Sequence, residues 1–332
     1  MSPQTTLPED IETVAVLGAG TIGASWTALF LAAGLEVDVY DPSDRAQDYV
    51  ADYVATAWPS LAQLGLTRSA EPRTPHFFAT PEEAVGRAHF VQESVPERLE
   101  VKHDIYRRIE PHLAPQAIVA SSASGLMVRE MQAGWRDPGR FILAHPFNPP
   151  HLIPLVELLA NERTADDVLD RAEQFYEACG KVTIRMNKEI PGHVANRLQA
   201  ALWREAIHLV VEGVASVEDV DKAVWAGPGL RWSIMGPHML FSLASGGPSG
   251  DPGGDPSGVR GMDMFCERYR DSFHRWWDSL GTPTLTPEVG AALAAGIAEE
   301  EAGRDFKSLA ATRDRKLVAV MKTLRDAEAD PA

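Results

Sequence analysis

The first half of the chain alternates short apolar, β-branched runs with longer segments in which apolar residues recur at helical spacing. The strand-like runs are TVAVL, EVDVYD, HFVQES, AIVASS, RFILAHPF and KVTIRM. The helix-like segments between them include IGASWTALFLAAG and RLEVKHDIYRRIEPH. Strands that alternate with helices of this length are typical of βαβ units. The pattern therefore predicts an α/β fold with a mostly parallel sheet.

The pattern becomes entirely helical after the segment KEIPG. HVANRLQAALWREAIHLVVEG predicts a long helix that is buried along much of its surface and ends at Gly213. A chain of 332 residues is longer than one comfortable core, which favours two domains. We therefore predict an α/β domain over residues 1–189 and a smaller all-helical domain over residues 190–332.

One segment of the second domain, SGGPSGDPGGDPSG at residues 245–258, contains only Gly, Pro, Ser and Asp. Such a composition buries too little apolar area to offset the entropy lost on ordering. It favours a solvated surface insertion. A mobile lid over the substrate cleft is the functional alternative.

Composition and charge exclude several classes of protein. With 31 basic and 47 acidic residues, the formal net charge of −16 disfavours nucleic acid and anionic membranes as partners. No apolar run approaches the roughly 20 residues of a membrane span, and MSPQTTLPED does not resemble a signal peptide, so we expect a cytoplasmic protein. The two cysteines, Cys179 and Cys266, lack metal-ligand neighbours. We expect no metal and two buried thiols.

A glycine motif follows the first strand. In VAVLGAGTIG, Gly18 permits a tight turn, Gly20 lets the backbone approach a pyrophosphate, and Gly23 lets helix and strand pack closely. The helix N-terminus, with Thr21 and Ile22, adds donors for the phosphates. These five residues are predicted cofactor contacts in a Rossmann-type domain.

An acidic residue, Asp41, ends the second strand, as dinucleotide-binding domains require. Its carboxylate can accept hydrogen bonds from the adenosine ribose hydroxyls and would repel a 2′-phosphate. The sequence therefore predicts NAD in preference to NADP. The alternative is a glycine turn that binds no ligand.

The stretch FILAHPFNPPHLIPLVELL, residues 141–159, contains a second candidate site. His145 ends an apolar run, and Glu157 is the only carboxylate between His145 and Glu162. A neutral imidazole oriented by a carboxylate can take the proton of a substrate hydroxyl. The two residues could equally be satisfied core residues. His151, beyond the prolines, is expected to be solvated.

The motifs GAGTIG, PERLEVK, ASSASGL, HPFNP, LVEL and PGHVANRL occur in order along the chain. With them the sequence resembles the 3-hydroxyacyl-CoA dehydrogenase family over essentially its whole length. The resemblance implies an NAD-dependent oxidoreductase that oxidises a 3-hydroxyl group, with a helical domain that binds substrate and forms a homodimer. It implies a catalytic set, and cofactor contacts near the nicotinamide ribose. The catalytic set is Ser124, His145, Glu157 and Asn196, and the cofactor contacts are Glu97 and Lys102.

The segment after the second strand, residues 42–66, contains only one basic residue, Arg45. A coenzyme A ester would find few partners there, so the chain is more similar to the free-acid branch of the family. AWPSLAQLGL, LWREAIHLV and GLRWSIMG look most like L-carnitine dehydrogenases. Aromatic faces attract a trimethylammonium group. Phe147, Trp203 and Trp232 are candidates for that group and Arg231 for the substrate carboxylate, although each Trp could instead be a core residue.

Several alternatives stay open. The substrate could be L-gulonate or a 3-hydroxyacyl- or 3-hydroxybutyryl-CoA ester, and the chain could be a crystallin-like nucleotide-binding protein without activity. A related class, the 3-hydroxyisobutyrate and 6-phosphogluconate type, uses a lysine in the long helix. PGHVANRL has Asn196 there and no lysine, which argues against that class.

Overall fold

The structure, a computed structural model, describes residues 7–8, 10–244 and 261–329. The Gly/Pro-rich segment at 245–258 lies outside the described residues, so its role as insertion or lid stays a prediction. The chain forms two compact units: unit 1 comprises residues 1–197 and 310–332, and unit 2 comprises residues 198–309. The contact boundary after residue 197 lies beyond the predicted one at 189, and the C-terminal segment belongs to unit 1.

Unit 1 contains one eight-stranded sheet. Its strands are β1 (Thr13–Leu17), β2 (Glu36–Tyr40), β3 (His76–Phe77), β4 (Phe90–Glu93), β5 (Ile118–Ser121), β6 (Phe141–Pro146), β7 (Leu155–Leu159) and β8 (Val182–Arg185). Their spatial order is β3-β2-β1-β4-β5-β6-β7-β8. Neighbouring strands are parallel except β6 and β7, which pair antiparallel. The predicted mostly parallel α/β fold is confirmed.

Helices cover both faces of this sheet. They are α1 (Thr21–Ala32), α2 (Ala46–Gln63), α3 (Pro81–Val85), α4 (Leu99–Ile109), α5 (Val128–Gln132) and α6 (Asp166–Ala178). Successive strand residues point to opposite faces. Val14 and Val16 therefore join a core with α1, α2 and α6, while Ala15 and Leu17 join a core with α3, α4 and α5. Both faces of the central strands are apolar because both are covered.

Seven further helices follow β8 in the part of the chain that the structure describes. They are α7 (Ala195–Val211), α8 (Val217–Ala226), α9 (Pro228–Trp232), α10 (Pro237–Ala244), α11 (Gly261–Ser279), α12 (Pro287–Glu301) and α13 (Phe306–Ala329). The predicted change to an all-helical second half is confirmed. The predicted burial of the long helix is wrong, since Ile207 is the one buried residue of α7. Most apolar side chains of α7 are therefore not covered by other described residues of this chain.

The last helix returns the chain to unit 1. Val318 of α13 is buried with Leu64 and Leu152 in a small apolar cluster, against which Met321 packs. Arg325 donates a hydrogen bond to the carbonyl oxygen of Leu64. The C-terminal segment is therefore a structural part of the α/β unit.

The two cysteines differ in their exposure. Cys179 is buried, as predicted, but Cys266 is exposed, so that prediction is wrong. Cys266 lies on α11, a helix in which Met264 is the buried residue. Among the described residues, none of the helices combines the length and the apolar character needed to cross a membrane.

Candidate functional site

The glycine loop lies where the strand order reverses, between β1 and β4. Gly18 has φ +89°, and a Cβ there would lie 2.6 Å from the carbonyl oxygen of Ser94, which follows β4. A Cβ on Gly23 would lie 1.7 Å from the carbonyl oxygen of Gly18, so neither position tolerates a side chain. Gly20 has no atom within 4 Å of its Cβ position. This crevice beyond the carboxyl ends of the strands fits a dinucleotide.

The helix that follows presents a free N-terminus. Gly20 is the N-cap of α1 and offers no side-chain acceptor to the first amides, which can therefore donate to an anion. Thr21 is exposed and its hydroxyl lies 3.3 Å from that of Tyr49. Ile22 packs against the core, so only its backbone can serve the cofactor.

Asp41 lies beside the glycine loop, just beyond β2. One carboxylate oxygen accepts a hydrogen bond from the amide of Ala19 at 2.7 Å, and the other accepts from the amide of Ser43 at 2.9 Å. The loop amide thus fixes the acidic group next to the crevice. The crevice thus combines the open backbone at Gly20, the free N-terminus of α1 and a carboxylate that can bind ribose hydroxyls. These features fit NAD.

His145 and Glu157 form a buried pair. The antiparallel register of β6 and β7 places the two residues directly opposite each other, and Nδ1 of His145 lies 2.8 Å from Oε2 of Glu157. The other oxygen of Glu157 accepts hydrogen bonds from the amides of Val194 and Ala195, both at 2.9 Å. A carboxylate at Nδ1 favours the tautomer with the proton on Nδ1, which leaves Nε2 able to accept a proton from a substrate hydroxyl. This is the arrangement that a general base needs.

The charge of Glu157 is stabilised by these contacts. Burial alone would raise the pKa of this carboxyl group. The hydrogen bonds from His145, Ala195 and Val194 outweigh burial and hold the pKa below its usual range. Glu157 is therefore ionised at neutral pH and favours a proton on Nδ1 of His145.

Ser124 lies in the loop after β5, the parallel neighbour of β6. Its hydroxyl donates to one oxygen of Glu97 at 2.6 Å, and its amide donates to the other at 3.0 Å. The amides of Gly125 and Leu126 donate to that second oxygen as well. Burial would raise the pKa of Glu97, but these four donors hold it below its usual value. Glu97 thus fixes the loop that carries Ser124, and its predicted contact with the cofactor stays a prediction.

Replacing Glu97 by glutamine tests this positioning role. A hydrogen bond to a charged group contributes about 1.5–3 kcal/mol, and the neutral amide accepts with only one of its two ends. We expect kcat to fall about tenfold or more, with less than about a threefold change in KM for NAD. Steady-state kinetics with varied NAD measures both. A raised KM for NAD with unchanged kcat would assign Glu97 to the cofactor instead.

The effect of Glu97→Gln on thermal stability should depend on pH. The folded-state pKa of Glu97 lies below the ordinary value of 4.5, so its ionised form stabilises the fold above that pH. This contribution disappears as the pH falls through the lower folded-state pKa. The difference in Tm between wild type and variant should therefore narrow between pH 7 and about pH 3.

Lys102, the other predicted cofactor contact in PERLEVK, is only 1% exposed. Its ammonium lies 2.5 Å from Oε1 of Glu93, whose other oxygen accepts from Tyr106 and Ser121 at 2.7 Å. The structure gives this lysine a buried partner that the sequence reasoning missed. The available signal was the carboxylate that ends the apolar run HFVQE. Contact of Lys102 with the cofactor stays a prediction.

Asn196 is the second residue of α7 and follows Ala195, whose amide binds Glu157. The structure therefore brings the start of α7 to the histidine–carboxylate pair. His193, three residues before Asn196, lies there too: its ring centroid is 5.1 Å from that of His145. Sequence reasoning missed His193, although a histidine directly after Pro-Gly in PGHVANRL was visible.

The candidates for the charged groups of the substrate lie on different elements of the chain. The ring of Phe147 lies 5.5 Å from that of His145, centroid to centroid. Trp203 on α7 is 52% exposed, Trp232 at the end of α9 is 39% exposed, and Arg231 is exposed as well. These three belong to unit 2, and their part in substrate binding stays a prediction.

Three further polar residues lie at or beyond the ends of β5 and β6. Ser121 and its neighbour Ser122 form hydrogen bonds at the end of β5, the former to Glu93 and the latter to Gln92 and Ser94. His151 was expected to be solvated, and that prediction is wrong: the residue is 8% exposed, and its ring is hydrogen-bonded to the hydroxyl of Ser25 at 2.8 Å. Burial lowers its pKa to about 4.

Two family models match the chain. The one described as the NAD binding domain of 3-hydroxyacyl-CoA dehydrogenase matches residues 13–190. The one described as the C-terminal domain of 3-hydroxyacyl-CoA dehydrogenase matches residues 192–247. The matches include the glycine loop, the His145–Glu157 pair and the start of α7.

Curated relatives match over nearly the whole length. The L-carnitine dehydrogenase of Streptomyces coelicolor is 43% identical over 317 residues, which cover 96% of each chain. That of Pseudomonas aeruginosa is 39% identical over 320 residues, again 96% of each. A solved structure of an NAD⁺-dependent dismutase, 5-formyl-3-hydroxy-2-methylpyridine 4-carboxylic acid 5-dehydrogenase, is 30% identical. It has a TM-score of 0.78 and covers 95% of this chain and 99% of its own.

Proposed function

The chain belongs to the 3-hydroxyacyl-CoA dehydrogenase family and is an NAD-dependent dehydrogenase, and we propose that it oxidises L-carnitine to 3-dehydrocarnitine. The observation that carries the chemistry is the buried pair in which Nδ1 of His145 lies 2.8 Å from Glu157. The likeness to L-carnitine dehydrogenases over 96% of both chains supports the substrate.

Four side chains act on the substrate hydroxyl, either directly or through His145. Nε2 of His145 accepts the hydroxyl proton, and the adjacent charge of Glu157 stabilises the imidazolium that forms. Ser124 and Asn196 are uncharged and hold the substrate oxygen as it changes from hydroxyl to carbonyl. Bound NAD supplies the acceptor for the hydride that leaves the carbinol carbon. In the reverse direction, His145 returns its proton to the carbonyl oxygen.

The cofactor is held by the glycine loop and α1. The backbone at Gly20 and the first amides of α1, from Thr21 and Ile22, bind the pyrophosphate, while Gly18 and Gly23 allow the close packing described above. The carboxylate of Asp41 would bind the adenosine ribose hydroxyls and would repel a 2′-phosphate, so we expect NAD in preference to NADP.

The trimethylammonium group of the substrate needs an apolar, aromatic environment. A cation over an aromatic face gains about 0.5–2 kcal/mol, depending on desolvation. Phe147 supports this role because its ring lies next to His145. Trp203 and Trp232 are candidates for this group and Arg231 is a candidate for the carboxylate, on the likeness of their segments to the L-carnitine dehydrogenases. Residues 190–332 then supply the substrate-binding domain.

The proposal includes a cytoplasmic homodimer formed through unit 2. Large apolar side chains of this unit that are at least 58% exposed support an interface with a second copy, because monomeric proteins rarely expose large apolar patches. They are Leu198, Val214, Trp225, Leu230, Ile234, Met239, Leu243, Trp277, Leu285 and Phe306. The free thiols Cys179 and Cys266 support a reducing compartment.

A substrate panel tests the proposed function. L-carnitine, L-gulonate, 3-hydroxybutyrate and 3-hydroxybutyryl-CoA are each offered with NAD, and NADH absorbance is followed. We expect the highest kcat/KM with L-carnitine, because its trimethylammonium group can bind aromatic side chains. The coenzyme A ester should react poorly, because residues 42–66 provide only Arg45 for its phosphates. D-carnitine and NADP serve as controls and should react poorly.

Other outcomes of this panel would reject the proposal. A higher kcat/KM for the coenzyme A ester or L-gulonate would overturn the substrate. Binding of NAD without oxidation of any panel member would favour the crystallin-like protein.

A further inference from the structure

A second histidine lies at the candidate site with no role in the mechanism above. His193 is 3% exposed, and neither of its ring nitrogens hydrogen-bonds to another described residue. Leaving a buried polar group without a partner is unfavourable, and such groups are uncommon in native proteins. Its backbone is also unusual, with φ +52°, which histidine tolerates better than most residues other than glycine.

The position of His193 is fixed by the catalytic carboxylate. Glu157 accepts hydrogen bonds from the amides of Val194 and Ala195, the two residues that follow His193. This holds the ring 5.1 Å from that of His145, centroid to centroid. His145 itself is 5% exposed, so His193 is covered to much the same extent as the ring that meets the substrate.

We propose that His193 binds the substrate carboxylate by donating a hydrogen bond from its imidazole N–H. The assignment rests on the proposed function, in which His145 accepts the proton of the 3-hydroxyl group. It makes His193 a determinant of specificity for free 3-hydroxy acids.

The spacing of the two rings suits this substrate class. In a 3-hydroxy acid the carboxyl carbon lies two bonds from the carbinol carbon, so the carboxylate and hydroxyl oxygens are within about 5 Å of each other at ordinary bond lengths. Two imidazoles whose centroids are 5.1 Å apart can therefore each reach one of these groups.

The charges around His193 favour a neutral donor. Burial lowers its pKa, and the neighbouring His145 lowers it further, while the carboxylates Glu157 and Glu97 act in the opposite direction. The backbone of Ala123 also raises the pKa, yet no hydrogen bond of ordinary geometry joins it to the ring. A neutral imidazole has one N–H donor. The carboxylate is the strongest hydrogen-bond acceptor of a 3-hydroxy acid, and the proposed mechanism leaves it without another partner in unit 1.

The test separates the carboxylate from the rest of the substrate. In His193→Phe the ring remains but both nitrogens are lost. We expect KM for L-carnitine to rise about tenfold or more, because a hydrogen bond to a charged group is lost. The competitive Ki of (2-hydroxypropyl)trimethylammonium, which has the hydroxyl and the cation but no carboxylate, should change less than about twofold. Equal increases in KM and Ki, or an unchanged KM, would overturn the proposal.

Companion variants control for the fold and for a rival residue. Asparagine tolerates a positive φ and places an amide near the Nδ1 position, and glutamine places one near Nε2. At least one of His193→Asn and His193→Gln should have a KM for L-carnitine close to that of wild type. The Kd for NAD should be unchanged in all three His193 variants. Arg231→Gln tests the other predicted carboxylate ligand, and a rise in KM in that variant alone would contradict the role of His193.

Failure of the proposed function gives a different result. If wild type oxidises another acid of the panel but not L-carnitine, the substrate proposal fails. His193 is then tested with that acid and its analogue lacking the carboxylate, and an unchanged KM in His193→Phe would reject the carboxylate assignment by itself.

Discussion

Replacing His145 by glutamine is expected to reduce kcat by about 10³-fold or more, in the upper part of the range for loss of a general base. Glutamine cannot accept the hydroxyl proton at Nε2 or carry the charge that Glu157 stabilises. NAD should bind with nearly unchanged Kd, because the glycine loop follows β1 and Asp41 follows β2, away from β6. Initial rates from NADH absorbance and calorimetric titration with NAD measure the two quantities.

A matched control for this substitution is His112→Gln, at an exposed position in the turn after α4. That variant should retain the activity of wild type. Loss of NAD binding in His145→Gln, with chemistry intact at saturating NAD, would refute its role as the base.

Replacing Glu157 by glutamine should lower kcat about 10²-fold or more, as loss of a residue that orients a catalytic histidine does. The carboxylate accepts from Nδ1 of His145 with one oxygen and from the amides of Val194 and Ala195 with the other. Glutamine has one oxygen. If it serves the two amides, its NH₂ group faces Nδ1 and favours the wrong imidazole tautomer.

The pH dependence of Glu157→Gln separates this role from a structural one. Because the negative charge favours a proton on the adjacent imidazole, its removal should move the acidic limb of the kcat/KM profile to lower pH. Glu162→Gln, three residues after β7 and exposed, is the control. A profile identical to that of wild type would contradict the pairing, whatever the change in kcat.

Much of unit 1 could be predicted from local sequence patterns. The strand runs, the glycines and the acidic residue after β2 are local signals, and each lies where dinucleotide-binding geometry requires it. The pair of His145 and Glu157 was suggested by the positions of one titratable ring and one carboxylate in two apolar runs, and by the family motifs that contain them. Their contact depends on the antiparallel register of β6 and β7, which the sequence pattern does not specify.

The features that were missed depend on contacts between different elements of the fold. His151 is hydrogen-bonded to Ser25, 126 residues away. Lys102 on α4 forms an ion pair with Glu93 at the end of β4. The ring of His193 lies near that of His145 because Glu157 accepts hydrogen bonds from the two amides that follow His193. The apolar face of α7 predicted burial, but a periodic pattern does not say whether the same chain provides the cover.

The return of α13 to the α/β unit has a consequence for how the protein is made. The ribosome completes the sheet by residue 185 but must add 198–309 before it delivers Val318 and Met321 to Leu64 and Leu152. At about 5–20 residues per second, those 112 residues take about 6–22 s. During synthesis the nascent α/β unit therefore leaves an apolar patch at Leu64 and Leu152 uncovered. A chain that ends before α13 would keep this patch, and we expect it to bind chaperones and to be degraded faster than the full chain.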